Sequence, residues 1–155
     1  MGSRTMAKVA VFLAGLLFVT GCDDFDVSKE FGMEVADALA AGDEESLARM
    51  SEGNLAVEIA AGEREAQFEL AGIHLDPTME WDLMSWNSST SKAGGESIAQ
   101  AQGVLVQTEE QSSMLRSIFR YGFFDREEAA VEVRVMRAPG EEEFKLVDFA
   151  VLPPP

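Results

Sequence analysis

The sequence predicts an α+β fold, with N-terminal helices packed on one face of a curved antiparallel sheet of four to five strands. Up to Pro77 the apolar residues recur at helical spacing among Ala, Glu and Asp; beyond it, β-branched and aromatic residues alternate at strand spacing. The helices come first and the strands afterwards, whereas a parallel α/β sheet would interleave them.

From about Ser28 the pattern is helical, with Phe31, Val35, Ala38 and Leu39 on one face and Lys29, Glu30, Glu34 and Asp37 elsewhere. Gly42 suits the C′ position of that helix. Asp43 then serves as N-cap of a short second helix, with Glu44 and Glu45 in the first turn, where the dipole favours negative charge. Leu47 and Met50 form its buried side, and Ser51 to Asn54 end it. Leu55 to Leu70 reads as a third helix on which Ile59, Ala66 and Leu70 share a face. Gly62 is its weak point, since an interior glycine costs about 1 kcal/mol against alanine. Ile73 to Pro77 reads as a turn, because a proline disfavours helical geometry at the residue before it.

Trp81 to Lys92 is the first strand, and the slip in alternation across Leu83, Met84 and Trp86 suggests a bulge. Ala93-Gly94-Gly95 makes a hairpin turn. Glu96 to Thr108 returns with Ile98, Val104 and Val106 on one side and Ala99, Ala101, Gly103 and Leu105 on the other. Small residues along one side permit close packing of a helix. Met114 to Phe124 follows as a strand, with Leu115, Phe119, Tyr121 and Phe123 on one face and Arg116 and Arg120 on the other. Ala129 to Met136 alternates most regularly. After the Pro139-Gly140 turn, Phe144 to Leu152 forms the last strand, which Pro153 to Pro155 stop.

Ahead of the helices stand Arg4 and Lys8, then the apolar run Val9 to Val19, then Thr20-Gly21-Cys22. A charged n-region followed by an apolar run reads as a signal peptide. The run is shorter than the about 20 residues a transmembrane helix needs. The four residues Val19, Thr20, Gly21 and Cys22 resemble the bacterial lipobox, whose cysteine is diacylated on sulfur and becomes the N-terminus after cleavage. The resemblance implies that Cys22 is the lipidation site, that the membrane is a partner, and that the protein faces the periplasm from the cell envelope. Two or more acyl chains anchor a protein stably where one does not. Asp23 and Asp24 resemble the inner-membrane retention signal of enteric lipoproteins. The expected organisation is a signal peptide over 1–21, an acidic spacer over 22–27, the α+β domain over 28–152 and a proline tail over 153–155. Met6 is an alternative start.

Cleavage removes Arg4 and Lys8 and no acid, which takes the net charge from −16 to −18. Such a surface repels phosphate backbones, so nucleic acid is not an expected partner. Cys22 is the only cysteine and His74 the only histidine, so a disulfide and a histidine-type metal site are excluded by count. Asp23, Asp24 and Asp26 lack the spacing of a calcium loop. No catalytic residue, metal or cofactor is assigned. Trp81, Trp86, Phe119, Tyr121 and Phe123 are candidates to line an apolar pocket, with core packing as the competing role. Tyr121 and Asp148, on predicted strands, are the pair a cavity enzyme would use; the alternative puts Tyr121 in the core and Asp148 on the solvent side of the sheet. Arg116 and Arg120 are candidates for anion binding or for cross-strand pairing with Glu132.

The stretch Val35-Ala36-Asp37-Ala38-Leu39-Ala40-Ala41-Gly42-Asp43-Glu44-Glu45-Ser46-Leu47 is similar to the opening helix and turn of the nuclear transport factor 2-like superfamily. Phe144-Lys145-Leu146-Val147-Asp148-Phe149 resembles that superfamily's closing strand, with Phe144 where tryptophan is usual. The resemblance implies a curved-sheet cone of the kind shared with ketosteroid isomerase and polyketide cyclases. The opening helix has no tyrosine, a departure from the superfamily's enzymes. A cystatin-like arrangement of the same elements is the alternative. Since one such fold hosts many activities, three readings stand: a non-catalytic binding domain for a protein or small ligand, a cavity isomerase or hydrolase on an apolar substrate, and a structural subunit of an envelope complex. A homodimer through the sheet face belongs to the same expectation.

Overall fold

The computed structural model describes residues 24–110, residue 116 and residues 126–155. Among the described residues, helix α1 covers 24–40. It is followed by α2 (Glu44–Met50), α3 (Gly53–Ala60) and α4 (Glu65–His74), then by β1 (Glu80–Ala93), β2 (Glu96–Thr108), β3 (Ala130–Arg137) and β4 (Lys145–Leu152). The strands lie in the order β1-β2-β3-β4, every pair antiparallel. Among the described residues the protein is therefore α+β, four helices ahead of a four-stranded meander, with the helical Arg116 between β2 and β3.

Local chemistry explains the helix boundaries. Gly42 ends α1 at φ +67°, a conformation glycine adopts without steric cost. The Asp43 carboxylate accepts the Ser46 N–H (3.1 Å) and the Ser46 hydroxyl (2.6 Å), which caps α2. These hydrogen bonds, the hydroxyl first, hold the Asp43 pKa below the ordinary aspartate value. Gly62, at φ +77°, splits the expected third helix into α3 and α4. Ala66, expected on the buried face, is consequently exposed. Ile73 and His74, expected in a turn, instead finish α4, and the chain leaves the helix at Leu75, where the backbone becomes extended.

The acidic stretch 22–27, expected as a spacer, is corrected in part: residues 24–27 are helical and belong to α1. Asp24 is fastened to the sheet. Its two carboxylate oxygens accept hydrogen bonds from Arg137 at 2.8 and 3.2 Å, and one also accepts from the Thr90 hydroxyl at 3.2 Å. A bidentate guanidinium on β3 thus ties this part of α1 to the sheet.

One face of the sheet meets the helices. Trp81, Leu83 and Trp86 of β1, Ala99, Ala101 and Leu105 of β2, Val131, Val133 and Val135 of β3, and Leu146, Phe149 and Val151 of β4 join Val35, Ala36, Leu39, Leu47 and Leu55 in one buried core. Each fully buried aliphatic side chain contributes roughly 1.5–3 kcal/mol. The bulge expected in β1 lies at Met84, where the register shifts between Leu83 and Ser85. The extra residue reverses the inward parity of the strand and is the reason Trp86 points to the core. A second irregularity lies in β4 between the partners of Arg134 and Val135. Bulges bend a strand and increase its twist.

The β4 edge is covered. Gln67 accepts the Val151 N–H at 2.6 Å and the Leu146 carbonyl accepts the Glu52 N–H at 2.8 Å, so outward backbone groups of this edge strand are paired. On the sheet face away from the helices, Val106 and Ala130 are fully buried with Met84, Val104 and Leu152 against them. Asp82, opposite Val106 in the ladder, is 1% exposed. The stretch from Met114 to Phe124, expected as a strand, lies outside the described residues except for Arg116, which is helical and exposed, not extended.

Candidate functional site

Two separate stripes run along α1. Ser28, Gly32, Val35, Ala36 and Leu39 face the core. Val27, Glu30, Phe31 and Glu34, spaced i, i+3, i+4, i+7, form the other stripe and make one wall of a groove of about 550 Å³. The second wall is α2, which contributes Ser46, Arg49 and Met50 at i, i+3, i+4, and the third is the run Glu142 to Lys145 leading into β4. The volume lies within the range of about 300–1,000 Å³ typical of ligand sites.

The groove has an apolar floor and a charged rim. Val27 is exposed, while Phe31 and Met50 are half-buried and Phe144 is buried. Glu30, Glu34, Glu142 and Glu143 are exposed on the rim, together with Arg49. Arg49 donates to the Ser46 hydroxyl at 2.9 Å, next to the Asp43 carboxylate. The guanidinium of Arg137 stands 5.2 Å from the centre of the Phe144 ring. The Asp24–Arg137 pair therefore also supports the groove floor from behind.

The aromatic residues expected to line a pocket do not meet here. Trp81 and Trp86 are 4% and 7% exposed and sit in the core. Their indole N–H groups are committed, Trp81 to Asp37 at 2.9 Å and Trp86 to the Ser28 hydroxyl at 3.1 Å. Both tryptophans face inward because of the strand parity around Met84, and neither lines the groove. Phe119, Tyr121, Phe123 and Arg120 lie outside the described residues, as do Val19, Thr20, Gly21, Cys22 and Asp23.

No family model, curated protein or solved structure matches this chain. The groove must be judged on its own chemistry.

Asp148 belongs to a structural ion-pair cluster at the β4 edge. It accepts from Arg64 at 2.9 Å and lies 3.5 Å from Arg134, while Arg64 also bonds Glu58 at 2.8 Å. Burial by itself would lower the Arg64 pKa; the hydrogen bonds it donates to Glu58 and Asp148 outweigh it and hold the pKa above the ordinary arginine value. Arg64 also lies 5.6 Å from the centre of the Phe149 ring. The cluster fastens the α3–α4 turn to the sheet and leaves Asp148 with partners on both sides. His74 ends α4, and the neighbouring Asp76 carboxylate accepts the Thr78 hydroxyl and N–H at 2.6 and 2.8 Å. Those bonds lower the Asp76 pKa. Among the described residues no group of three or more His, Cys, Asp and Glu side chains is placed to hold a metal ion, and no helix is long and apolar enough to cross a membrane.

Sequence reasoning missed the groove for a definite reason. Val27 falls in the expected spacer, whereas Phe31, on the expected core face, packs against the core and also lines the groove, so the expected elements do not put the two on one stripe. The legible signal was the interleaving of apolar Val27 and Phe31 with Glu30 and Glu34, each pair four residues apart.

Proposed function

We propose that this protein is a lipid-anchored component of a bacterial envelope that binds a partner through the groove between α1, α2 and the segment preceding β4. The carrying observation is a combination of an apolar floor with a carboxylate rim, on a helix that already includes Asp24, close in sequence to Cys22. A domain tethered so closely is held at the bilayer surface, where confinement raises its effective concentration towards membrane-bound partners. The reading needs no chemistry at the site, only recognition. As a fold reading, the same proposal takes the domain as a nuclear transport factor 2-like cone: the helices precede a bulged meander and pack on one face of it, as that superfamily's do.

Two measurements test this. The intact mass of the native protein from a membrane fraction is expected to correspond to a chain that begins at Cys22 and carries acyl groups, while Cys22→Ser leaves an unprocessed precursor. A soluble, unmodified product beginning elsewhere overturns the anchor. For the groove, a photo-crosslinking residue at position 31 is expected to give a discrete adduct in the native membrane. The same residue at Ile73, 73% exposed on α4 and outside the groove, is expected to give none. Equal labelling at both positions overturns the groove as the binding face.

A further inference from the structure

We infer that the groove takes a cationic amphipathic helix of a partner protein, Lys or Arg on its flanks and aliphatic side chains on the seam. The inference rests on the groove being the binding face, and it names the chemistry of the occupant. The floor sets the first requirement: Val27 and Phe31, one turn apart on α1, and Met50 on α2 offer an apolar trough that gains only by covering it with apolar side chains. The trough follows a helix stripe and suits the spacing of residues i, i+3, i+4 and i+7 on a partner helix.

The rim sets the second requirement. Glu30 and Glu34 stand on the α1 wall, and Glu142 and Glu143 on the wall leading into β4. The cations of the rim are Arg49, already turned to Ser46, and Lys145. Any occupant that seals the trough removes water from those carboxylates. A neutral occupant leaves them without compensation, and desolvated charge is costly unless paired. An anionic occupant adds repulsion, from the rim and from a chain of net charge −16. A cationic flank with residues one turn apart matches the one-turn separation of Glu30 and Glu34. The same field steers such a helix to the groove and weakens as salt screens it.

The test uses the mature full-length protein and three synthetic peptides with one aliphatic seam and different flanks: lysine, glutamine and glutamate. Binding is followed by titration calorimetry at low and high salt, and the site is mapped by amide hydrogen exchange. The lysine peptide is expected to bind about tenfold or more tightly than the glutamine peptide at low salt, to lose most of that advantage at high salt, and to protect α1 and α2. Replacing the exposed rim with Glu30→Gln/Glu34→Gln is expected to weaken the lysine peptide by about tenfold. The control Glu63→Gln/Glu65→Gln removes the same charge at exposed positions outside the groove and is expected to leave binding within about twofold. If all three peptides bind the groove equally, the cationic chemistry fails while the groove stands. If the lysine peptide binds but protects other elements, or the control weakens it as much as the rim variant does, the groove itself fails. Circular dichroism of the variants, which change only exposed side chains, verifies that each is folded.

Discussion

The indole N–H of Trp86 donates to the hydroxyl of Ser28 at 3.1 Å, and that hydroxyl donates in turn to the Phe25 carbonyl at 3.0 Å. Both side chains are buried, so the pair joins α1 to β1 across 58 residues of chain. Ser28→Ala is expected to leave a buried indole N–H without this acceptor and to cost about 1–3 kcal/mol. Urea denaturation with tryptophan fluorescence measures the loss; an unchanged midpoint would show that the bond contributes nothing.

Trp86 is also confined from two sides. A Cβ on Gly32 would lie 2.6 Å from its Cη2, and a Cβ on Gly103 would lie 2.6 Å from its Cε3 and overlap the Ser85 carbonyl oxygen. Overpacking of this kind costs about 1–3 kcal/mol and sometimes more. Gly32→Ala is expected to fall in that range, because what its Cβ meets is a side chain and not backbone. Gly103→Ala is expected to be the more destabilising, since the Ser85 oxygen it meets is backbone held in the β1–β2 ladder. Thermal unfolding of the two variants under one condition tests the ranking, and the reverse order would refute the explanation.

The Asp24–Arg137 pair is only 15% and 20% exposed at its side chains. Hydrogen bonds between charged groups so placed contribute about 1.5–3 kcal/mol. Arg137→Ala is expected to lose stability in that range and to raise hydrogen exchange in residues 24–28 well above that in residues 33–39. A double-mutant cycle with Asp24→Ala isolates the coupling between them; a coupling near zero would mean that α1 is held by its core stripe alone.

Acid should destabilise the protein through its caps. The Asp43 and Asp76 carboxylates have folded pKa values below that of free aspartate. Each therefore adds stability that is present above the unfolded value of about 4 and is lost as pH falls through the lowered folded value. The raised pKa of Arg64 acts in the opposite sense, and its contribution persists throughout the range below the ordinary arginine value. The urea midpoint is expected to fall below about pH 4, and the pair Asp43→Asn with Asp76→Asn to flatten that fall. Identical acid limbs in the two proteins would exclude these carboxylates as its source.

The local rules were legible where a single residue type dictates geometry. Gly42 and Gly62 take positive φ, Asp43 caps α2, the Gly94-Gly95 turn closes the hairpin and the parity slip at Met84 is a bulge. Legibility ended where long-range pairing decides. Asp24 is fastened to the sheet by Arg137, which lies 113 residues away, and Phe31 faces a groove because Met50 and Phe144 arrive beside it.

By itself the chain determined its α+β class, the order of helices before strands and its caps and turns, because these depend on side-chain period and on the conformational preferences of neighbouring residues. Only the tertiary structure decided that residues 24–27 are helical, that Trp81 and Trp86 are core, and that Val27, Glu30, Phe31 and Glu34 form a wall. A helix stripe acquires its role from the surface packed beside it, and that surface comes from residues far along the chain whose approach no local pattern encodes.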